Sequence, residues 1–323
     1  MLVRYLVSNY LRSTAGQAVR DKVESAVSEQ TQNLQQLTDD REIANCEIAI
    51  VFASHIEATG VLDQLEKILS VQCAGFVEHT GNWNGLDVVV VEAGDSWRSI
   101  ARATTAVINL YQPPWIVSAG FCCALHPKFR NGGIVMPNRV LDTQNRRLDV
   151  GFKISEQAVK ETKGLYVGEL LTVSEMLDTP RKRKQMHKQT GAVVADMESS
   201  VIMEICRQAS VKCMSVRVIT EELDEQPPEL MSRMMKQDTT AGKLGALSKG
   251  VFTKIAGVKE MWDLKNAAYL SSERLAKFLF GVIEQLAKTT ESGESGESGE
   301  SGESGESGES GESGESGLSE ETN

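Results

Sequence analysis

Aromatic side chains are scarce in this chain: Phe, Trp and Tyr make up 5% of its 323 residues, and only 7 prolines occur. Long apolar runs are missing. No stretch approaches the roughly 18 residues that a membrane-spanning helix needs, so no such helix is expected. Arg4, Asn9, Tyr10 and Arg12 break the apolar character of the N-terminus, and no secretory signal is expected there. The six cysteines (46, 73, 122, 123, 206 and 213) form no CxxC pair, which points to buried, reduced thiols and a cytoplasmic protein. The four histidines (55, 79, 126 and 187) are scattered without HExxH or other ligand spacing, so no metal site is expected. GxGxxG, Walker and GxSxG motifs are absent from the body of the chain. Surplus basic charge is absent as well. The chain carries 34 Lys and Arg against 45 Asp and Glu. Eleven of those acids are glutamates within residues 291–323, which hold no Lys or Arg, so Met1–Thr290 is formally neutral. A neutral body has no electrostatic footprint for nucleic acid.

What is present falls into three segments: a helical extension over 1–42, a main domain over 43–288 and a tail over 289–323. Leu2, Tyr5, Leu6, Tyr10 and Leu11 recur at helical spacing, and the stretch Val23–Leu37 is mostly polar. Such a helix suits a membrane surface or partner, or packing on its own domain or a dimer mate; the second reading is favoured. Residues 291–317 are nine Glu-Ser-Gly triplets with nothing apolar to bury, a composition that predicts disorder. Between these segments, apolar strands alternate with amphipathic helices. Strands are expected at Cys46–Ala53, Val88–Glu92, Trp115–Ala119, Gly133–Met136, Tyr166–Leu171, Val193–Ala195 and Lys212–Ile219. Helices are expected at Glu57–Leu69, Ser99–Leu110, Ser199–Gln208 and Leu264–Leu286. The pattern predicts an α/β fold, a three-layer α/β/α arrangement around a central sheet buried on both faces. A Met-rich amphipathic stretch follows Pro227-Pro228.

Ligands of such sheets bind beyond the carboxyl ends of strands, and four places of this kind carry acids or glycines. Glu57 opens a helix directly after the first strand (FASHIE), where the helix dipole favours an ionised carboxylate. Gly120, in SAGFCCAL, permits a sharp turn and close approach of the backbone to a ligand. Asp196 and Glu198 flank Met197 at the end of a strand (ADMES), and an acceptor-only carboxylate suits vicinal sugar hydroxyls. The strand VRVITEELD ends in clustered acids, Glu221, Glu222 and Asp224, whose mutual repulsion favours a protonated member able to act as a general acid. Each place also has an ordinary structural explanation: a helix-stabilising acid, a tight turn, a helix N-terminus and a solvated acidic loop.

Their order and spacing resemble the nucleoside phosphorylase/nucleosidase superfamily from about Cys46 to Leu286. VVADMESS is similar to that family's V-E-M-E element, VKCMSVRVITEELDE to its V-R-A-I-S-D strand, and SAGFCCAL to its T-G-[ST]-A-G-G-L turn. The resemblance implies a nucleoside phosphorylase-like mixed sheet and cleavage of a ribosyl N-glycosidic bond without cofactor, in a homo-oligomer. It implies that Glu57 orients the attacking water, that Glu198 holds the ribose hydroxyls and that Met197 packs on the nucleoside. Glu221 falls on the family's proton-donating aspartate, with Asp224 as an alternative acid. Gly120, Phe121 and Cys122 fall on the turn beneath base and sugar, and Met176 near the segment covering the base. Gly94 begins the second glycine-rich turn, and Arg217 lies on the strand leading to the acids.

The sequence departs from the family at three points. The aspartate is Glu221, small residues of the first turn become Cys123 and Ala124, and Ser96 and Trp97 occupy the second turn. No arginine stands around Ser54–Ile56 or Ile116–Gly120 to hold phosphate. Hydrolysis of a purine nucleoside or thio-nucleoside is therefore expected, ahead of phosphorolysis or a catalytically weakened nucleoside-binding role.

Overall fold

The computed structural model describes residues 46–226, except 143, 145, 151–153 and 155, together with residues 255–294, where side chains are described for 262–287. The expected N-terminal extension, the Met-rich stretch after Pro228 and nearly all of the Glu-Ser-Gly tail lie outside the described residues.

Strand β1 (Ile48–Phe52) is apolar throughout because both of its faces are buried. Ile48, Ile50 and Phe52 enter one apolar layer, and Ala49 and Val51 the other. Strand β4 (Leu86–Glu92) divides in the same way, with Val88 and Val90 on one side and Val89 and Val91 on the other. The first layer is covered by α1 (His55–Leu62) and the long helix α6 (Ile255–Glu294), which runs through the first repeat triplet to the first residue of the second. The second is covered by α2 (Trp97–Tyr111) and α5 (Ser199–Gln208). These layers and the mixed sheet between them form the expected α/β architecture.

Two hairpin strands, β2 (Glu66–Cys73) and β3 (Phe76–Trp83), extend the sheet antiparallel beyond β4. The helix expected over Glu57–Leu69 stops at Leu62; residues 63–65 turn, and residues 66–69 belong to β2. The segment EKILSVQC has no decisive period, and pairing with β3 determines its conformation. Asn84 and Gly85, both at positive φ (52° and 93°), make the tight turn from β3 to β4. Asn-Gly is a strong hairpin signal, and it marks strands that the apolar pattern alone does not reveal.

On the other side of β1 the sheet closes on itself. Strands β5 (Trp115–Ala124), β9 (Val194–Asp196), β8 (Leu165–Thr172), β6 (Ile134–Asp142) and β10 (Lys212–Glu221) pair in that order, and β10 pairs back onto β5. The short β7 (Arg147–Asp149) adds to β6, while α3 (Glu156–Glu161) and α4 (Pro180–Thr190) flank β8. Strand β5 thus belongs to two structures. Its first part pairs with β1, and its last residues pair with β9.

Helices α1 and α6 meet at Gly60. The Gly60 N–H donates to Ser272 Oγ at 2.7 Å, and that hydroxyl donates to the Glu57 carbonyl at 3.1 Å. A Cβ at residue 60 would stand 2.4 Å from the Ser272 carbonyl oxygen, so only glycine permits this approach. Gly60→Ala is expected to destabilise the fold by about 1–3 kcal/mol, through forced separation of two packed backbones. A lower denaturant midpoint at unchanged m-value checks this.

Candidate active site

The site is built around residues 120–123 of β5. The chain does not turn at Gly120, as the sequence suggested; the strand runs on to Ala124, with Gly120 at φ +154°. Glycine is required there by its neighbours. A Cβ would lie 2.4 Å from Nη1 of Arg217 and 2.7 Å from Oε1 of Glu57. Arg217 is the cross-strand partner of Gly120 on β10. The Phe121 N–H donates to Glu57 Oε1 at 2.9 Å, and Ser54 Oγ donates to Oε2 at 2.7 Å, so both oxygens of this buried carboxylate are oriented. Glu57 lies in the first turn of α1, where the helix dipole favours negative charge.

Arg217 is fully buried within an apolar strand. Its Nη2 contacts Asp196 Oδ2 at 2.8 Å and donates to Ser118 Oγ at 2.7 Å and Ser199 Oγ at 2.9 Å. Its Nε and Nη1 have no hydrogen-bond partner among the described residues. Asp196 also accepts from Thr172 Oγ1 at 2.8 Å and from the Ser199 N–H at 3.1 Å. Burial pushes the Asp196 carboxyl above the usual range, and the Arg217 charge opposes that push. The ADMES segment marks Asp196 as an acid at a strand end, but no motif in the sequence assigns Asp196, Ser118 or Ser199 to Arg217. The signal for them is a lone arginine in KCMSVRVI, since a buried guanidinium requires an acid and hydrogen-bond acceptors.

Glu198 forms the N-cap of α5 and is buried, and its Oε2 accepts from the Met197 N–H at 3.3 Å. Met197 packs on the cluster containing Cys123, Leu171, Val173 and Leu177. Glu221, also buried, ends β10 opposite Cys123, and a bulge between Ile219 and Glu221 shifts the register just before it. Cys123 also pairs with Ala195, beside Asp196. Three distant acidic segments therefore border four residues of β5.

Other residues named from sequence are placed differently. Asp224 is exposed, pairs with Lys184 Nζ at 2.6 Å and lines a depression with Pro127, Arg130 and Asn131. Its exposure and its lysine partner set it apart from the buried Glu221. The side chains of Phe121 and Cys122 are buried in the core, so the Phe121 N–H, rather than its ring, meets Glu57. Burial raises the Cys122 thiol well above its ordinary value and pushes Cys123 to about 12, so neither is a ready thiolate. Met176 is half-buried in the segment after β8. Gly94, at φ +83°, leads into α2.

The model of the phosphorylase superfamily matches residues 47–252. The chain belongs to that superfamily. Among its relatives, the 5'-methylthioadenosine/S-adenosylhomocysteine nucleosidase of Bacillus subtilis is 20% identical over 199 residues, covering 54% of this chain and 85% of the relative. The solved structure of that nucleosidase from Helicobacter pylori with butyl-thio-DADMe-Immucillin-A superposes with a TM-score of 0.58 at 13% identity, covering 75% of this chain and 99% of the other. A futalosine hydrolase mutant of Helicobacter pylori gives 0.56 at 14% identity, covering 74% and 99%. At such identities the structural likeness concerns the fold.

Two histidines that are scattered in the sequence meet on one carboxylate. His55 Nδ1 lies 2.7 Å and His79 Nε2 2.9 Å from the same Glu92 oxygen, and Ser70 Oγ lies 2.8 Å from His79 Nδ1. Among the described residues, no group of three His, Cys, Asp or Glu is arranged to hold a metal. Burial alone would raise Glu92, but the two imidazoles outweigh it and hold the carboxyl at about 2. The Glu92 hydrogen bond raises His55 from 6.5.

Two outcomes follow from these charges. Asp196→Ala strands the Arg217 charge in the core and is expected to cost about 3–5 kcal/mol of stability in denaturant titrations. A depressed carboxylate stabilises fully above its ordinary value near 4.5 and loses that contribution as pH falls toward 2. A raised histidine stabilises fully below 6.5 and loses its contribution as pH rises through its folded value. The stability difference between wild type and Glu92→Gln, measured across pH, is thus expected to be largest between 4.5 and 6.5.

Proposed function

We propose that this chain hydrolyses the N-glycosidic bond of a purine nucleoside or thio-nucleoside. The observation that carries the reading is the convergence of Glu57, the Asp196–Glu198 segment and Glu221 on residues 120–123 of β5. The nucleosidases among its relatives support the same reaction class.

In this reading Glu57 orients water. Its two oxygens are already held by the Phe121 N–H and Ser54, which limits reorganisation when a water binds. Glu198 takes the ribose hydroxyls, and Met197 packs on the nucleoside. As the bond stretches, the sugar gains oxocarbenium character, and the surrounding carboxylates stabilise its positive charge. Glu221 donates a proton to the departing base. Asp224, exposed and paired with Lys184, is set aside from that role. Phosphorolysis fits less well, because the Asp196 carboxylate neutralises Arg217, the cation bordering the site. No helix among the described residues is long and apolar enough to cross a membrane.

A panel of purine nucleosides and thio-nucleosides, assayed with and without phosphate and read by product chromatography, tests the reading. Free base and the free ribose or thio-substituted ribose at zero phosphate are the expected products, and strict dependence on phosphate would establish a phosphorylase instead. Glu57→Gln is expected to lower kcat by at least about a hundredfold, the scale for loss of a positioned general base. An unchanged kcat removes Glu57 from the mechanism.

A further inference from the structure

Among the described residues, Trp97 is the one large aromatic exposed at the edge of this site that also bonds to it. The residue is 41% exposed, yet its Nε1–H donates to the Met197 carbonyl at 2.9 Å. That carbonyl belongs to the peptide joining Met197 to Glu198, and the Met197 N–H in turn donates to the Glu198 carboxylate. The bond from Trp97 therefore holds the peptide plane from which the Glu198 side chain departs.

The indole is itself held firmly. Trp97 is the first residue of α2, whose N-cap Ser96 accepts from the Ser99 N–H at 3.1 Å while its own N–H donates to Ser99 Oγ at 3.3 Å. Gly94, at φ +83°, lets the chain pass close to Ser99: a Cβ there would stand 2.8 Å from Ser99 Oγ. The residues that depart from the resembled family's second glycine turn thus form a connected device. Ser96 caps the helix, and Trp97 reaches from it to the Glu198 segment.

We infer that Trp97 is a positioning residue that sets the orientation of Glu198 toward the ribose hydroxyls, and through it the preference for ribose over deoxyribose. The inference rests on the functional reading above. The Met197 N–H donates to Glu198 Oε2 at 3.3 Å and the Met197 carbonyl accepts from Trp97, so the direction of the carboxylate is tied to the backbone segment that the indole holds. A carboxylate displaced by about 1 Å loses on the order of a hundredfold in rate.

The test compares adenosine with 2'-deoxyadenosine as substrates of the full chain and its Trp97→Phe variant. Phenylalanine keeps the ring and removes the donor. The ratio of kcat/KM for the two substrates is expected to fall about tenfold or more, mostly through the ribonucleoside. In the Trp97→Phe/Glu198→Gln double variant, the first change is expected to lower that ratio no further, as coupled residues require. A variant that slows both substrates equally, or neither, overturns the inference while leaving the functional reading in place. A wild-type chain that cleaves no nucleoside of the panel overturns both.

Discussion

The buried pairing of Arg217 with Asp196 is the constraint on which the site depends. A guanidinium inside an apolar strand is strongly unfavourable unless its charge is matched and its donors are satisfied. Matching it brings the end of β9 to the middle of β10. Ser118 and Ser199 accept from the same nitrogen that meets Asp196, while Nε and Nη1 have no hydrogen-bond partner among the described residues. Asp196 then needs Thr172 and the first N–H of α5, which ties β8 and that helix to the pair. One charge in one strand thus organises four other elements.

The same arginine explains Gly120. Strand β5 is shared between the parallel wing that includes β1 and the closed ring that includes β9 and β10. At the fork, Arg217 from β10 and Glu57 from α1 converge on the space where a side chain would stand. An extended strand with one missing Cβ accommodates both charged groups and leaves a backbone N–H for the carboxylate. The ring brings in the acids of β9 and β10, and the wing brings in Glu57. Neither half contains the site alone.

Charge balance also shapes the chemistry. In the proposed reaction, with Arg217 neutralised where it stands, carboxylates would dominate the surroundings of the sugar. Such an environment would favour a positively charged sugar intermediate over an incoming anion. The adjacent cysteines, conspicuous in the sequence, face opposite sides of β5 and are deeply buried. They fill core volume on each side of the strand.

Much of this architecture is legible in the residues themselves. The apolar runs of β1 and β4 signal a sheet covered on both faces, and the spacing of ADMES and VRVITEE marks two acidic strand ends. Strands β2 and β3 escape the periodicity because EKILSVQC suits either period, although Asn84-Gly85 announces their hairpin. Gly120 reads as a turn because glycine, followed along a chain, signals local bending, whereas here its cause lies on two other elements. Asp224 and Glu221 are three residues apart and alike in sequence; exposure and Lys184 separate them. Apolar character, acidic strand ends and family resemblance can be read along the chain, because those properties are local and periodic. That β5 joins a wing to a ring, that Arg217 takes Asp196 as its counter-charge and that Trp97 reaches Met197 emerge in the folded molecule, because each depends on contacts between residues far apart in the chain.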